Sequence, residues 1–406
     1  MLPTPTPAGK PGLPPMYPYG TPDPHDCAPH GPLSPPLARA TTSASVDAET
    51  VRALGVRARH DEFYARYGHP NARAFEAELA RLEGAEGAVS FASGMAAMHA
   101  VICGLVSQGE RVLIAEQVYG GTVGLAVADL PRFGIEVEWF DAFDPSTLRA
   151  ALERPARLCI VETPVNPTLR VVDLAGVAAA CREAGAVSLV DATFAPPPVQ
   201  RSLDHGVDLV LHSATKFLGG HSDVLAGVVA GPHRLLGPIE AFRARTGGLL
   251  APDPAWLLCR SAATLALRVE AQQAAAAAVA TQLQAAARSG IAPIDAVHYP
   301  GLDDHPDADV VRRQMAGGGA LCSFEVRGGL DAAVRMFDSL RVVARAPSLG
   351  GVESLASLPA HSTHAGLSPE ERARRGIAAG LVRISVGLEG ADRIVSDLLQ
   401  ALGAGR

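Results

Sequence analysis

The chain has 406 residues, 48% of them hydrophobic and 19% charged, with a net charge of −7. This is a globular composition long enough for two domains, and it gives no electrostatic reason to expect nucleic acid or another polyanion as partner. No apolar run reaches membrane-spanning length, and the six cysteines, none in a C-x-x-C pair, suit reduced thiols in a cytoplasmic protein.

Residues 1–62 read as a proline-rich N-terminal arm, whose opening MLPTPTPAGKPGLPPMYPYG lacks the apolar centre of a signal peptide. A large domain is expected over 63–250. The stretch FYARYGHPN (63–71) presents Tyr64 and Arg66 two residues apart, on one face if extended and able to grip a phosphate. Because it precedes the core it is placed to reach a neighbouring subunit, although an isolated arginine is more commonly just solvated. NARAFEAELARLEG (71–84) sets Phe75, Leu79 and Leu82 on one helical face and stops at Gly84. A second helix starts near Ser93, where Gly94 and Met95 offer backbone N–H groups and a helix dipole to an anion; an ordinary N-cap has the same signature.

Short apolar strands then alternate with helices: 111–116, 135–140, 157–163, 186–192 and 207–213, with a clear helix at 174–185. Continuous apolar strands of this kind argue for a mostly parallel sheet covered on both faces. In YGGT (119–122), Tyr119 can stack on a flat ring while the glycines admit close backbone, or the string is simply a turn. From 251 to 406 a smaller α/β domain is expected, with a helical region over 255–289 and strands near 319–328 and 381–387. In the last of these, Arg383 stands between Val382 and Ile384. A guanidinium there suits a substrate carboxylate or a structural salt bridge.

The strand VDLVLH (207–212) runs into SATK (213–216), so a lysine ends an apolar strand. Desolvation lowers the pKa of such an amine and makes it a nucleophile toward an aldehyde. Ser213 and Thr215 flank Lys216 with hydroxyls that suit a phosphate, which together suggest pyridoxal 5'-phosphate held as a Schiff base. Asp191 ends the strand VSLVD and can face the same crevice, where a carboxylate keeps a pyridine nitrogen protonated. No metal is expected.

In order and spacing, FYARYGHPN, LEGAEGAVSFASGM, YGGT, VETPVNPT (161–168), DATF (191–194), SATKFLGGHSDVLAG (213–227), SLGGVESL (348–355), STHAG (362–366) and LVRISVGLE (381–389) resemble the cystathionine γ-synthase/γ-lyase family of transsulfuration enzymes. The resemblance implies pyridoxal phosphate as cofactor and the aspartate-aminotransferase fold type, a large domain with a mostly parallel mixed sheet plus a smaller C-terminal α/β domain. It implies Lys216 as the Schiff-base lysine, Asp191 as partner of the ring nitrogen, and Ser213, Thr215, Gly94 and Met95 around the phosphate. Tyr64 and Arg66 would come from the adjacent subunit of a homotetramer. Tyr119 would stack on the ring and shuttle a proton, while Asn166, Ser348 and Arg383 would bind an amino-acid substrate's carboxylate. The implied activity is elimination or γ-replacement at a sulfur amino acid, with O-acylhomoserine sulfhydrylase or methionine γ-lyase activity as the alternative and a non-catalytic cofactor-binding regulator as the outlying one.

Several positions depart from the family pattern. His69-Pro70-Asn71 stands where N-P-T is common, Ala192 replaces a frequent asparagine, and Pro347 stands where cystathionine γ-lyases tend to carry an acid. Gly121 replaces the cysteine typical of bacterial methionine γ-lyases, and Val123 and Gly124 replace polar residues. These departures bear on substrate, not on cofactor.

Overall fold

A computed structural model describes residues 34–56 and 63–403. Most of the N-terminal arm therefore lies outside the described residues. Its described part carries a short helix, Ala48–Gly55, capped by Asp47.

The larger sheet is formed by β1 (Gly87–Phe91), β2 (Arg111–Ala115), β3 (Glu136–Phe140), β4 (Leu158–Glu162), β5 (Val187–Asp191), β6 (Leu209–His212) and β7 (Gly227–Gly231), in the order β1-β7-β6-β5-β4-β2-β3. Only β7 runs antiparallel to its neighbours. The parallel core is the one the apolar runs predict, since both faces of the interior strands are buried beneath helices. The expected strands do not include β1 and β7, which are short and rich in glycine and alanine. Gly227 has to be small: a Cβ there would collide with the Ser93 carbonyl, so this glycine lets β7 run against the turn that opens the helix Gly94–Leu105.

The smaller sheet contains β8 (Ile294–His298), β9 (Leu321–Val326), β10 (Ala344–Arg345), β11 (Leu355–Ser357) and β12 (Leu381–Ser385), in the order β10-β11-β12-β9-β8. The expected helical region over 255–289 is two helices, Pro252–Ala262 and Leu265–Arg288. The second joins the two hydrophobic cores: Leu265 and Val269 belong to the larger one, and from Ala276 onward the buried face belongs to the smaller.

Two of the departing residues serve the fold. His69 caps the helix Pro70–Glu83, accepting from Ala72 N–H at 3.2 Å through Nδ1, while its Nε2 meets Leu250 O at 2.8 Å. Asn71 is buried; its Oδ1 accepts from Ala38 N–H at 2.9 Å and its Nδ2 donates to Pro36 O at 2.9 Å. With Trp256 Nε1 donating to Pro35 O at 2.8 Å and Arg39 paired with Asp253, these bonds fasten residues 35–39 to the domain body. Ala192 is fully buried and bonds only through its backbone, donating to Leu211 O at 2.9 Å.

Candidate active site

The parallel strands end at one cleft, and the smaller sheet closes it from the other side. β4 delivers Glu162, β5 delivers Asp191, and the turn after β6 delivers Ser213, Thr215 and Lys216. Gly94, Met95, Tyr119 and Asn166 line the same cleft from the large domain, and Arg383 on β12 lines it from the small one.

Lys216 Nζ donates to Ser348 Oγ at 2.9 Å, and among the described residues no carboxylate pairs with it. Burial lowers its pKa, and the nearby Arg383 cation lowers it further. Arg383 is buried at 2% exposure and has no ion-pair partner among the described residues. Its Nη1 donates to Asn166 Oδ1 at 2.7 Å, its Nη2 donates to Ser348 O at 3.1 Å, and its Nε is left without a partner. Burial brings this guanidinium down to about 10, which Glu162 opposes. The structural salt bridge is therefore absent, and the neutral oxygens around Arg383 leave its charge available to an incoming carboxylate.

Asp191 accepts from Thr193 N–H at 3.0 Å and from Thr193 Oγ1 at 2.6 Å, both through Oδ1. The same Thr193 hydroxyl accepts from Ser213 N–H at 2.8 Å, so one threonine spaces the carboxylate from the lysine turn. Desolvation raises the Asp191 carboxyl, against these hydrogen bonds and the neighbouring His212. Tyr119 is 43% exposed and precedes the helix Gly120–Ala128. A Cβ at Gly121 would stand 2.5 Å from its ring and 2.9 Å from Met95 Sδ, so glycine lets the ring fold back on its own helix.

Thr215 Oγ1 is engaged locally, donating to Ala226 O at 3.2 Å and accepting from Ala226 N–H at 3.0 Å. Tyr64 and Arg66 do not line the cleft of their own chain. Arg66 Nη1 donates to Ala244 O at 2.6 Å, with its guanidinium 4.9 Å from the Tyr67 ring centre. Sequence reasoning passed over Glu162, Thr193 and Phe194, all of which line the cleft. Phe194 sets its ring 5.7 Å beneath the Arg383 guanidinium. Glu162 had a usable signal: like Asp191, it is an acid ending an otherwise apolar strand.

The cleft fits pyridoxal phosphate on its own chemistry. The free helix start at Gly94 and Met95, beside Ser213, is an anion site. A Cβ on Gly94 would lie 3.0 Å from the Ser213 Cβ and crowd that corner. Asp191 could pair with a ring nitrogen, and the Lys216 amine, which no described carboxylate pairs, could take an aldehyde.

A family model described as Cys/Met metabolism PLP-dependent enzyme matches residues 23–403. The chain is 38% identical to L-methionine gamma-lyase of Pseudomonas putida over 384 residues, 94% of this chain and 95% of that protein. It is 40% identical to O-succinylhomoserine sulfhydrylase of Pseudomonas aeruginosa over 341 residues, 84% of this chain and 83% of that one. In structure it is similar to cystathionine gamma synthase from Xanthomonas oryzae pv. oryzae solved with cystathionine, at TM-score 0.86 and 36% identity, covering 93% of this chain and 95% of that one. This chain belongs to the Cys/Met metabolism PLP-dependent enzymes, the transsulfuration family of cystathionine γ-synthase and γ-lyase, and its cofactor is pyridoxal 5'-phosphate.

Proposed function

We propose that this enzyme breaks or exchanges the bond between Cγ and its sulfur or acyloxy substituent in a small amino acid, with Lys216 as the amine that carries the cofactor. The observation behind this reading is the pair facing across the domain junction, an unpaired desolvated amine and a buried guanidinium with no carboxylate of its own. When bound, pyridoxal phosphate supplies a ring that accepts the electrons left at the substrate Cα. Arg383 and Asn166 hold the substrate carboxylate, and the Ser348 carbonyl fixes the guanidinium plane. Lys216 Nζ takes the Cα proton, while Ser348 Oγ keeps the amine on its side of the cleft. Asp191 holds the ring nitrogen, with Thr193 orienting its carboxylate. Gly94, Met95, Ser213 and Thr215 hold the phosphate, and Tyr119 stacks over the ring and moves a proton to or from the substrate amine.

Further groups along the cleft favour a second reading within the family. Its remaining walls include Leu225, Pro347 and Thr363, and among the described lining residues the only ionisable side chains are those already given roles, together with Glu162. Such walls suit a leaving group without a second amino-acid head, as in O-acylhomoserine sulfhydrylase or methionine γ-lyase activity.

The reading includes a homotetramer with shared sites, supported by a Tyr64 and Arg66 that do not line their own cleft. Cytoplasmic placement is supported by Cys103, Cys159, Cys181, Cys259 and Cys322, which are all free thiols. No described helix is long and apolar enough to cross a membrane. The arm, large domain and small domain divide at 62 and 250 in this reading, with 251–269 packing on the larger core. The test is a panel of cystathionine, homocysteine, cysteine, methionine and O-acylhomoserine with thiol, scored for 2-oxo acid against thioether. 2-Oxobutyrate or a thioether formed at Cγ from at least one supports the reading, and pyruvate alone, or failure with all of them, overturns it.

A further inference from the structure

Glu162 ends β4 at 5% exposure, and both of its carboxylate oxygens accept from backbone. Oε2 takes the Tyr119 N–H at 2.7 Å, and Oε1 takes the Asn166 N–H at 3.0 Å. One side chain thus fixes the residue that covers the cofactor and the residue that bonds Arg383. Two N–H donors on two oxygens favour the ionised form, because a neutral acid keeps only one good acceptor and its hydroxyl oxygen accepts weakly. Yet β4 and β5 are in register with Glu162 beside Asp191, so a second carboxylate lies next to the first.

We propose that Glu162 is a positioning residue that sets Tyr119 and Asn166 together, and that a cation bound to Asp191 strengthens this clamp by favouring its ionised form. The charged groups facing it are Asp191 from β5 and Arg383 from β12, with the Tyr119 phenol near Arg383. Burial pushes the Glu162 carboxyl up to about 8, Asp191 pushes in the same direction, and the two N–H bonds and Arg383 resist. With a positive charge paired to Asp191, the like-charge repulsion on Glu162 would fall, and its ionised form would hold both N–H groups more firmly. Asp191 at one end of the cleft would thereby be coupled through one proton on Glu162 to Asn166 at the other.

This inference rests on the roles given above to Asn166 and Arg383, and Asn166→Ala separates the two. If Asn166→Ala leaves KM unchanged, those roles fail; if it raises KM while Glu162→Gln does not, the present inference fails. Glutamine offers one acceptor where glutamate offers two, so Glu162→Gln is expected to lower kcat/KM about ten- to hundred-fold. It should also remove an ionisation from the pH profile, with Glu162→Asp restoring that ionisation in part. The readout independent of turnover is calorimetry of cofactor binding to the cofactor-free protein in two buffers of different ionisation enthalpy. The wild type should release more protons than Glu162→Gln, and equal proton counts overturn the proposal. Should the glutamine variant not fold, infrared difference spectra of the wild type decide. A neutral-carboxyl band lost on cofactor addition supports the proposal, and no such loss contradicts it.

Discussion

The Lys216 amine is held by the Ser348 hydroxyl at 2.9 Å, so the group at the end of a large-domain strand is positioned by a small-domain loop. The same serine receives Arg383 on its carbonyl. One residue therefore bridges the Lys216 amine and the Arg383 guanidinium. Ser348→Ala should reduce kcat by about ten-fold, the scale of one hydrogen bond to a charged or reacting group, with little change in cofactor content. Steady-state kinetics alongside cofactor absorbance checks it; an unchanged kcat would contradict the role.

Removing the Arg383 charge tests the electrostatics of the lysine. Arg383→Met should raise the Lys216 pKa, because the cation that disfavours its protonation is gone. Cofactor capture needs the neutral amine, so its rate profile should move to higher pH in this variant. Stopped-flow absorbance across pH measures the shift, and a shift to lower pH would be the wrong sign.

The start of the helix Gly94–Leu105 depends on Gly227. Gly227→Ala drives a Cβ into the Ser93 carbonyl and Gly94 N, where only backbone can move. Destabilisation of about 1–3 kcal/mol is expected, together with weaker cofactor binding. Thermal unfolding of the loaded and cofactor-free forms separates the two effects, since a purely structural change leaves the cofactor affinity alone.

Acid should loosen the loop that carries Thr363 into the cleft. Burial lowers the neighbouring His364 to about 4 from its ordinary 6.5, and Arg375, Arg383 and Arg372 add to the shift. The unfolded chain binds this proton first, so the contribution is full above 6.5 and is lost as pH falls toward about 4. The loss amounts to about 3 kcal/mol at most. Chemical denaturation at several pH values should show this slope in the wild type and a flatter one in His364→Gln.

Subunit sharing can be read by complementation. Arg66→Ala and Lys216→Ala should each be inactive or nearly so alone, by about 10²–10⁴-fold for loss of the lysine. If sites are shared, mixing the two in refolded oligomers restores partial activity, because some sites then combine an intact Lys216 with an intact Arg66. No recovery in demonstrably mixed oligomers would place Arg66 outside the site.

How far the sequence carried these conclusions follows from how each residue is positioned. Lys216 and Asp191 were legible because each is a charge at the end of an apolar strand, which only a cleft at the strand ends accommodates. Arg383 was legible as a charge inside an apolar strand, although its partners, an amide and a carbonyl from distant loops, were not. Asn166 and Ser348 came only with the family resemblance, because loop residues carry no periodic signal. β1 and β7 escaped notice because glycines at close approaches to the 93–94 turn and to β6 dilute the strand pattern. Glu162 stands inside VETPVNPT, but its importance lies in two backbone hydrogen bonds that only the fold brings together.

The central claim is that Lys216 carries the cofactor, and reductive trapping tests it most directly. Borohydride treatment of the cofactor-loaded enzyme, followed by proteolysis and mass spectrometry, should place one cofactor mass on the peptide containing Lys216 and none after Lys216→Ala. A cofactor adduct on another lysine, with Lys216 unmodified in an active preparation, would contradict the account.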